Sequence, residues 1–389
     1  MDFRFAASES ILTTAPGKRF HELDSMRGLA ALIVLLHHFV HMFYPGVQFS
    51  TNPAALMFYP FISGHESVMF FFILSGFVLA LPFLRGKKQP YLVFLSRRIL
   101  RIYGPYLAAL LLALGGCALW HNRLGTGGWA AGTWFAPVTW IPVRQHLLLI
   151  GNYNYAQYNT AFWSLVYEMR ISIIFPLLFL LANKLRTAAT IALIVIFASV
   201  GIQLEGHAAS GLLSPQTTIT LEYIAVFLVG IVIAKNLDSL CARYTKLTIW
   251  QRSCIAVGSF ALYFGSHPLA LKWEPFWHLG DMPVAVGAAG ILLVGINSPL
   301  ARKSLNSPVP AFFGRISYSL YLVHGTVLFA LAALWKGVVS PPVLFFLFLS
   351  TSVLASWGFY RAIELPFTRW SQRVGRQPKH VIEVPVMTA

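Results

Sequence analysis

Arg27 and His38 stand eleven positions apart in the first stretch of the chain apolar enough to enter a bilayer. At 100° per residue of helix, that spacing brings the two side chains to within about 20° of each other around the axis, and a rise of 1.5 Å per residue separates them by roughly 16 Å along it. One therefore sits at a membrane surface and the other near the midplane of a hydrocarbon core about 30 Å thick. His41 joins the same stripe about 40° to the other side, whereas His37 is turned about 80° away and is the expected bystander. A charge at mid-membrane costs roughly 2.5 to 3.5 kcal/mol on insertion scales, so polar residues at that depth face protein or a watery cavity. An imidazole there can move a proton, and a plain helix-packing hydrogen bond is the competing reading.

Three more polar groups stand in apolar surroundings. Arg98 and Arg101 are three apart, so their guanidinium groups project from one helical face. Planar bidentate donors at that spacing suit phosphate oxygens, and they come from the same side of the membrane as Arg27. Arg97, Lys87 and Lys88 are accounted for by anchoring at a membrane surface. In the stretch from Phe162 to Arg170, Glu168 and Arg170 are two apart and point to different sides of a helix, so each needs a partner elsewhere. Glu168 lies about 7 Å deeper than Trp163, which places it near the expected depth of His38. A carboxylate beside that imidazole would fix its tautomer, while an ion pair with Arg170 or another cation is the structural alternative. Tyr318, Tyr321 and His324 form a polar ladder at three-residue spacing whose expected role is helix packing by hydrogen bonds, and the same is expected of Ser75 beside Gly76. No nucleotide-binding phosphate loop, HExxH helix or GxSxG elbow is found, and Cys117, Cys241 and Cys254 have neither the number nor the spacing of a zinc or disulfide framework. No metal site is expected.

The elements that must position these groups are membrane helices. Hydrophobic residues make up 57% of the chain and charged ones 11%, against roughly 25% charged in an ordinary soluble domain. The net charge of +16 is spread over alternate loops rather than gathered on one folded face, which argues for contact with anionic membrane lipid and against nucleic acid. By the positive-inside rule the basic loops are cytoplasmic, which places both termini in the cytosol and requires an even number of spans. The hydropathy pattern predicts an all-α, polytopic bundle of about ten transmembrane helices over 25–44, 66–84, 98–119, 162–183, 187–203, 217–235, 251–265, 282–297, 312–335 and 341–362. A single membrane domain is expected over 1–370, followed by a basic, disordered tail over 371–389, and the first apolar run reads as a retained helix rather than a cleaved signal. The longest connection, 120–161, is expected on the outer side. It carries Gly125, Gly127 and Gly128, then Trp129, Trp134 and Trp140, then Asn152, Tyr153, Asn154 and Tyr155. Its tryptophans suit either the headgroup interface or an aromatic platform for a sugar ring.

Taken together these motifs resemble the membrane-bound acyltransferase-3 family, which includes bacterial O-acetyltransferases of surface polysaccharides. The likeness runs in order through Glu22-Leu23-Asp24, Arg27-Gly28 and His38, Phe71 to Phe77, Arg98 and Arg101 with Pro105, Trp163-Ser164-Leu165 with Glu168 and Pro176, Gly314 through His324, and Ile363-Glu364-Leu365-Pro366-Phe367. It departs at Arg170, Ile171 and Ser172. The resemblance implies acyl transfer from a cytosolic acyl-coenzyme A, most simply acetyl-CoA, to a hydroxyl of a cell-envelope glycan or lipid-linked sugar at a bacterial inner membrane. It also implies that His38 and Glu168 are catalytic and that Arg27, Arg98 and Arg101 bind the donor. A proton-coupled transporter with a midplane His and Glu is the rival expectation.

Overall fold

A computed structural model describes residues 20–47, 52–87, 89–124, 129–206 and 214–375. The expected glycines at 125, 127 and 128 and the tail over 376–389 lie outside these. The described chain is helical, with no strand, and sixteen α-helices follow one another in order. They are α1 (His21–Phe43), α2 (Pro53–Phe58), α3 (Gly64–Leu84), α4 (Tyr91–Trp120), α5 (Trp140–Leu148), α6 (Trp163–Lys184), α7 (Thr187–Gly206) and α8 (Pro215–Lys235). Then come α9 (Leu237–Lys246), α10 (Ile249–Lys272), α11 (Glu274–Trp277), α12 (Met282–Asn297), α13 (Pro299–Leu305), α14 (Pro308–Trp335), α15 (Pro341–Phe359) and α16 (Leu365–Arg373).

Among the described residues nine helices are long and apolar enough to cross a membrane. The eighth expected span, 282–297, coincides with α12, whose 16 residues reach only about 24 Å before an 89° bend into α13. Two boundaries move by seven residues. The third span starts at Tyr91 rather than 98, because Pro90 supplies the stop before it and nothing interrupts the helix afterwards. The seventh runs on to Lys272, with Thr248 and Gln251 closing a capping box at its start. At the C-terminus the expected domain limit at 370 falls inside α16, which stays helical to Arg373. The start of α1 and the end of α16 lie at the same end of the bundle. Glu22 accepts from Arg302 Nε at 2.8 Å there, and the Val374 carbonyl accepts twice from Arg97.

The two helices that carry the histidines are set against each other by glycine. A Cβ on Gly28 would stand 2.3 Å from the backbone nitrogen of Gly314, and one on Gly314 would stand 2.6 Å from the carbonyl oxygen of Asp24. Only at such small residues can two helix backbones approach this closely. α1 and α14 leave this contact side by side in the same direction. His38 and His324 each lie ten residues, about 15 Å, beyond it. A similar crossing joins α3 to α8, where a Cβ on Gly76 or Gly230 would stand 2.2 Å from the carbonyl oxygen of Phe227 or Ile73.

Candidate active site

The equal ten-residue offset brings the imidazoles together. His38 Nδ1 lies 2.8 Å from His324 Nε2, and His324 Nδ1 lies 2.8 Å from the carbonyl oxygen of Leu320, one turn back in its own helix. A carbonyl only accepts, so His324 donates from Nδ1 and its neutral ring keeps a lone pair on Nε2. His38 must then donate from Nδ1, which leaves the lone pair of the reactive tautomer on His38 Nε2. Both rings are buried, and His38 lines a cavity of about 560 Å³ together with Trp129, Trp163 and Tyr321. The ring of Trp129 stands 4.7 Å from that of His38.

The ladder on α14 continues downward from this pair. Tyr321 shares a hydrogen bond of 2.7 Å with Ser164, and Tyr318 donates to the carbonyl of Ile102 at 2.8 Å. Beneath it is a second, charged cluster. Arg98 donates to Glu168 at 2.8 Å and to Ser172, and Ser75 donates to the same carboxylate oxygen at 3.1 Å. Glu364, on a π-turn between α15 and α16, accepts from the backbone and hydroxyl of Ser319. Arg101 is exposed, makes no hydrogen bond among the described residues, and lies within electrostatic range of Arg27, Arg98, Glu364 and Asp24. Arg27 touches Asp24 only at 3.5 Å.

The structure thus gathers Arg27, Arg98 and Arg101 at one end and places His38 about three turns of α1 further in than Arg27. It corrects the expected position of Glu168, which pairs with Arg98 and makes no hydrogen bond to His38. Asn159 explains the difference. Its side chain donates to the carbonyl of Leu322 and to Thr326, so the chain docks onto α14 at the level of His324 before α6 begins. Ser164 then falls opposite Tyr321, and Glu168 lies a turn deeper, beside Arg98. The orienting partner of His38 is His324 instead, a residue expected only to pack.

Other expectations are also revised. His37, expected as a bystander, lines the cavity and sits 2.5 Å from the carbonyl oxygen of Ile62 through Nδ1, whereas His41 is buried and neither ring nitrogen has a hydrogen-bond partner among the described residues. Of the three loop tryptophans Trp129 lines the cavity, Trp134 is wholly buried against Gly116, and Trp140 is exposed. Tyr153, Asn154 and Tyr155 roof the cavity. They are pinned by Arg170, whose guanidinium donates to the carbonyls of Ile150, Gly151 and Gln216 and to Asn152, Tyr155 and Thr220. Arg170 therefore finds the partners it needs elsewhere, in backbone carbonyls, an amide oxygen and two hydroxyls, with the Gln216 carbonyl and the Thr220 hydroxyl coming from another helix. No group of three or more potential metal ligands occurs among the described residues.

A family model described as an acyltransferase domain matches residues 20–361, which takes in the histidine pair, the arginine cluster and the cavity. The chain belongs to the acyltransferase-3 family. No curated protein and no solved structure matches it. Membership makes this multi-pass membrane protein an acyltransferase.

Proposed function

We propose that the protein is an acyl-coenzyme A dependent O-acyltransferase of the bacterial inner membrane, moving an acyl group, most simply acetyl, to a hydroxyl of a cell-envelope glycan or lipid-linked sugar. The observation that carries this reading is the chain Leu320 carbonyl, His324, His38, which ends in a free lone pair at a cavity wall. Arg101 and Arg27 have unused donors for the phosphates of the donor substrate at the basic end. Arg98 contributes charge while Glu168 and Ser172 hold its guanidinium in place. The pantetheine arm would run along the Tyr318–Tyr321 side of α14 to bring the thioester to His38. The acceptor would enter from the other side, under the roof of Tyr153, Asn154 and Tyr155, with Trp129 and Trp163 offering faces for an apolar ring surface.

In the reaction His38 Nε2 takes the proton of the acceptor hydroxyl as its oxygen attacks the thioester carbon. His324 meanwhile accepts from His38 Nδ1 and stabilises the imidazolium that forms. The same lone pair could carry the acyl group itself. Purified protein incubated with radiolabelled acetyl-CoA and a sugar acceptor should pass label to the acceptor, and His38→Ala should abolish transfer. Label retained on protein in the absence of acceptor, and lost in His38→Ala, would show that His38 is the acyl carrier rather than the base. Full transfer by His38→Ala would refute both roles.

A further inference from the structure

A second histidine on the cavity wall is built in the opposite sense. His65, in the first turn of α3, lines the same cavity as His38, and its ring lies parallel to that of Trp163 at a 9° interplanar angle and 6.3 Å. Its Nε2 is 2.7 Å from Asp281 Oδ1. Asp281 is held in turn, because its backbone N–H donates to Glu222 Oε1 at 2.8 Å. The preceding residue, Gly280, has φ +51°, and a Cβ there would stand 2.3 Å from the same Glu222 oxygen. Only glycine lets the chain turn across that carboxylate and deliver Asp281 to His65. The neighbouring Glu66 makes no hydrogen bond to the ring among the described residues; Tyr59 donates to its Oε1 at 2.6 Å, and its charge adds to that of Asp281 beside His65.

The two imidazoles therefore terminate differently. The His38 chain ends on a neutral carbonyl and leaves a lone pair on the cavity, whereas the His65 chain ends on a carboxylate, which favours a doubly protonated ring. His65 Nδ1 makes no hydrogen bond among the described residues, so its proton is available to the cavity. One ring thus presents an acceptor to the cavity and the other an N–H, the two functions that an acyl transfer divides between a base and a hydrogen-bond donor.

Resting on the acyl-transfer reading above, we propose that His65, held by Asp281, donates a hydrogen bond to the oxyanion that forms when the acceptor hydroxyl attacks the thioester. The steps balance without another reagent. His38 Nε2 takes the hydroxyl proton as the new C–O bond forms, and the carbonyl π pair moves onto oxygen, where His65 Nδ1–H meets it. The pair then returns, the C–S bond breaks, and the leaving thiolate takes the proton from His38.

The test is steady-state transfer from acetyl-CoA by full-length protein in proteoliposomes, with acetyl-CoA binding measured separately by titration. Loss of one oxyanion donor typically lowers kcat by about 10²–10³. His65→Gln should do the same while leaving acetyl-CoA affinity within about twofold, and Asp281→Asn should lower kcat at least tenfold in the same pattern. A kcat loss under tenfold in His65→Gln overturns the proposal. If that variant does not fold, the same limit is applied to Asp281→Asn. The parent reading fails separately, when the wild type neither binds acetyl-CoA nor transfers acetyl.

Discussion

Substituting Gly28 by alanine should break the histidine pair from fifteen ångströms away. The added Cβ would stand 2.3 Å from the Gly314 nitrogen and 2.4 Å from the Phe313 carbonyl carbon, backbone atoms that cannot swing aside, whereas ordinary contact begins near 3.4 Å. α1 and α14 must therefore separate by about 1 Å, and packed helices move largely as rigid rods. Carried along the helices, that shift lengthens the 2.8 Å His38–His324 bond to about 3.8 Å, beyond hydrogen-bonding distance. The crossing itself should lose about 1–3 kcal/mol of stability to overpacking. Losing the neutral hydrogen bond that selects the His38 tautomer, and leaving its donor buried, should cost a further 1–3 kcal/mol at the site. At 1.4 kcal/mol per decade this is a fall of about 5- to 140-fold in kcat. The assay is acetyl transfer at saturating donor and acceptor in proteoliposomes, with thermal unfolding followed in parallel. A Gly28→Ala protein with wild-type kcat would refute the argument that this crossing sets the site's register.

Arg101→Ala should raise the KM for the acyl donor about 10- to 100-fold, the worth of one charged hydrogen bond of about 1.5–3 kcal/mol, with the acceptor KM unchanged. Equal effects on both substrates would move Arg101 out of the donor site. Glu168→Gln removes the partner of Arg98 but no contact of His38, so donor KM should rise severalfold while kcat stays within about threefold. A fall of kcat by a hundredfold would restore the carboxylate as the orienting group. Arg170→Ala strips six acceptors of their donor and should unpin the cavity roof, raising acceptor KM at least tenfold with donor KM unchanged. A change confined to thermal stability would make it a scaffold residue alone.

Much of this site could be read from residue spacing. The eleven-residue step from Arg27 to His38 correctly placed one group at the basic end and the other at cavity depth, because a single helix carries both and its rise is fixed. The i,i+3 pair Arg98 and Arg101 shares one face of α4 and meets Arg27 because both helices start from the same basic side. Relations between helices were less legible. The depth of Glu168 depends on where Asn159 docks on α14, a contact 163 residues away in sequence. The role of His324 follows from a glycine contact whose register appears only when α1 and α14 are aligned at Gly28 and Gly314. A signal was present all the same, since each histidine follows its glycine by ten residues. Glu364 stood in a noted motif without a role, and a π-turn is what presents it to Ser319. His65 and Asp281 are 216 residues apart, and nothing local links them.

A double-mutant cycle on His38 and His324, read as single-turnover acetyl transfer, decides whether the two imidazoles work as one unit. If His324 acts only by holding His38 in its reactive tautomer, His324→Ala slows transfer, His38→Ala abolishes it, and the double variant is no worse than His38→Ala alone. Transfer that survives His38→Ala, or losses from the two substitutions that simply multiply, would contradict it.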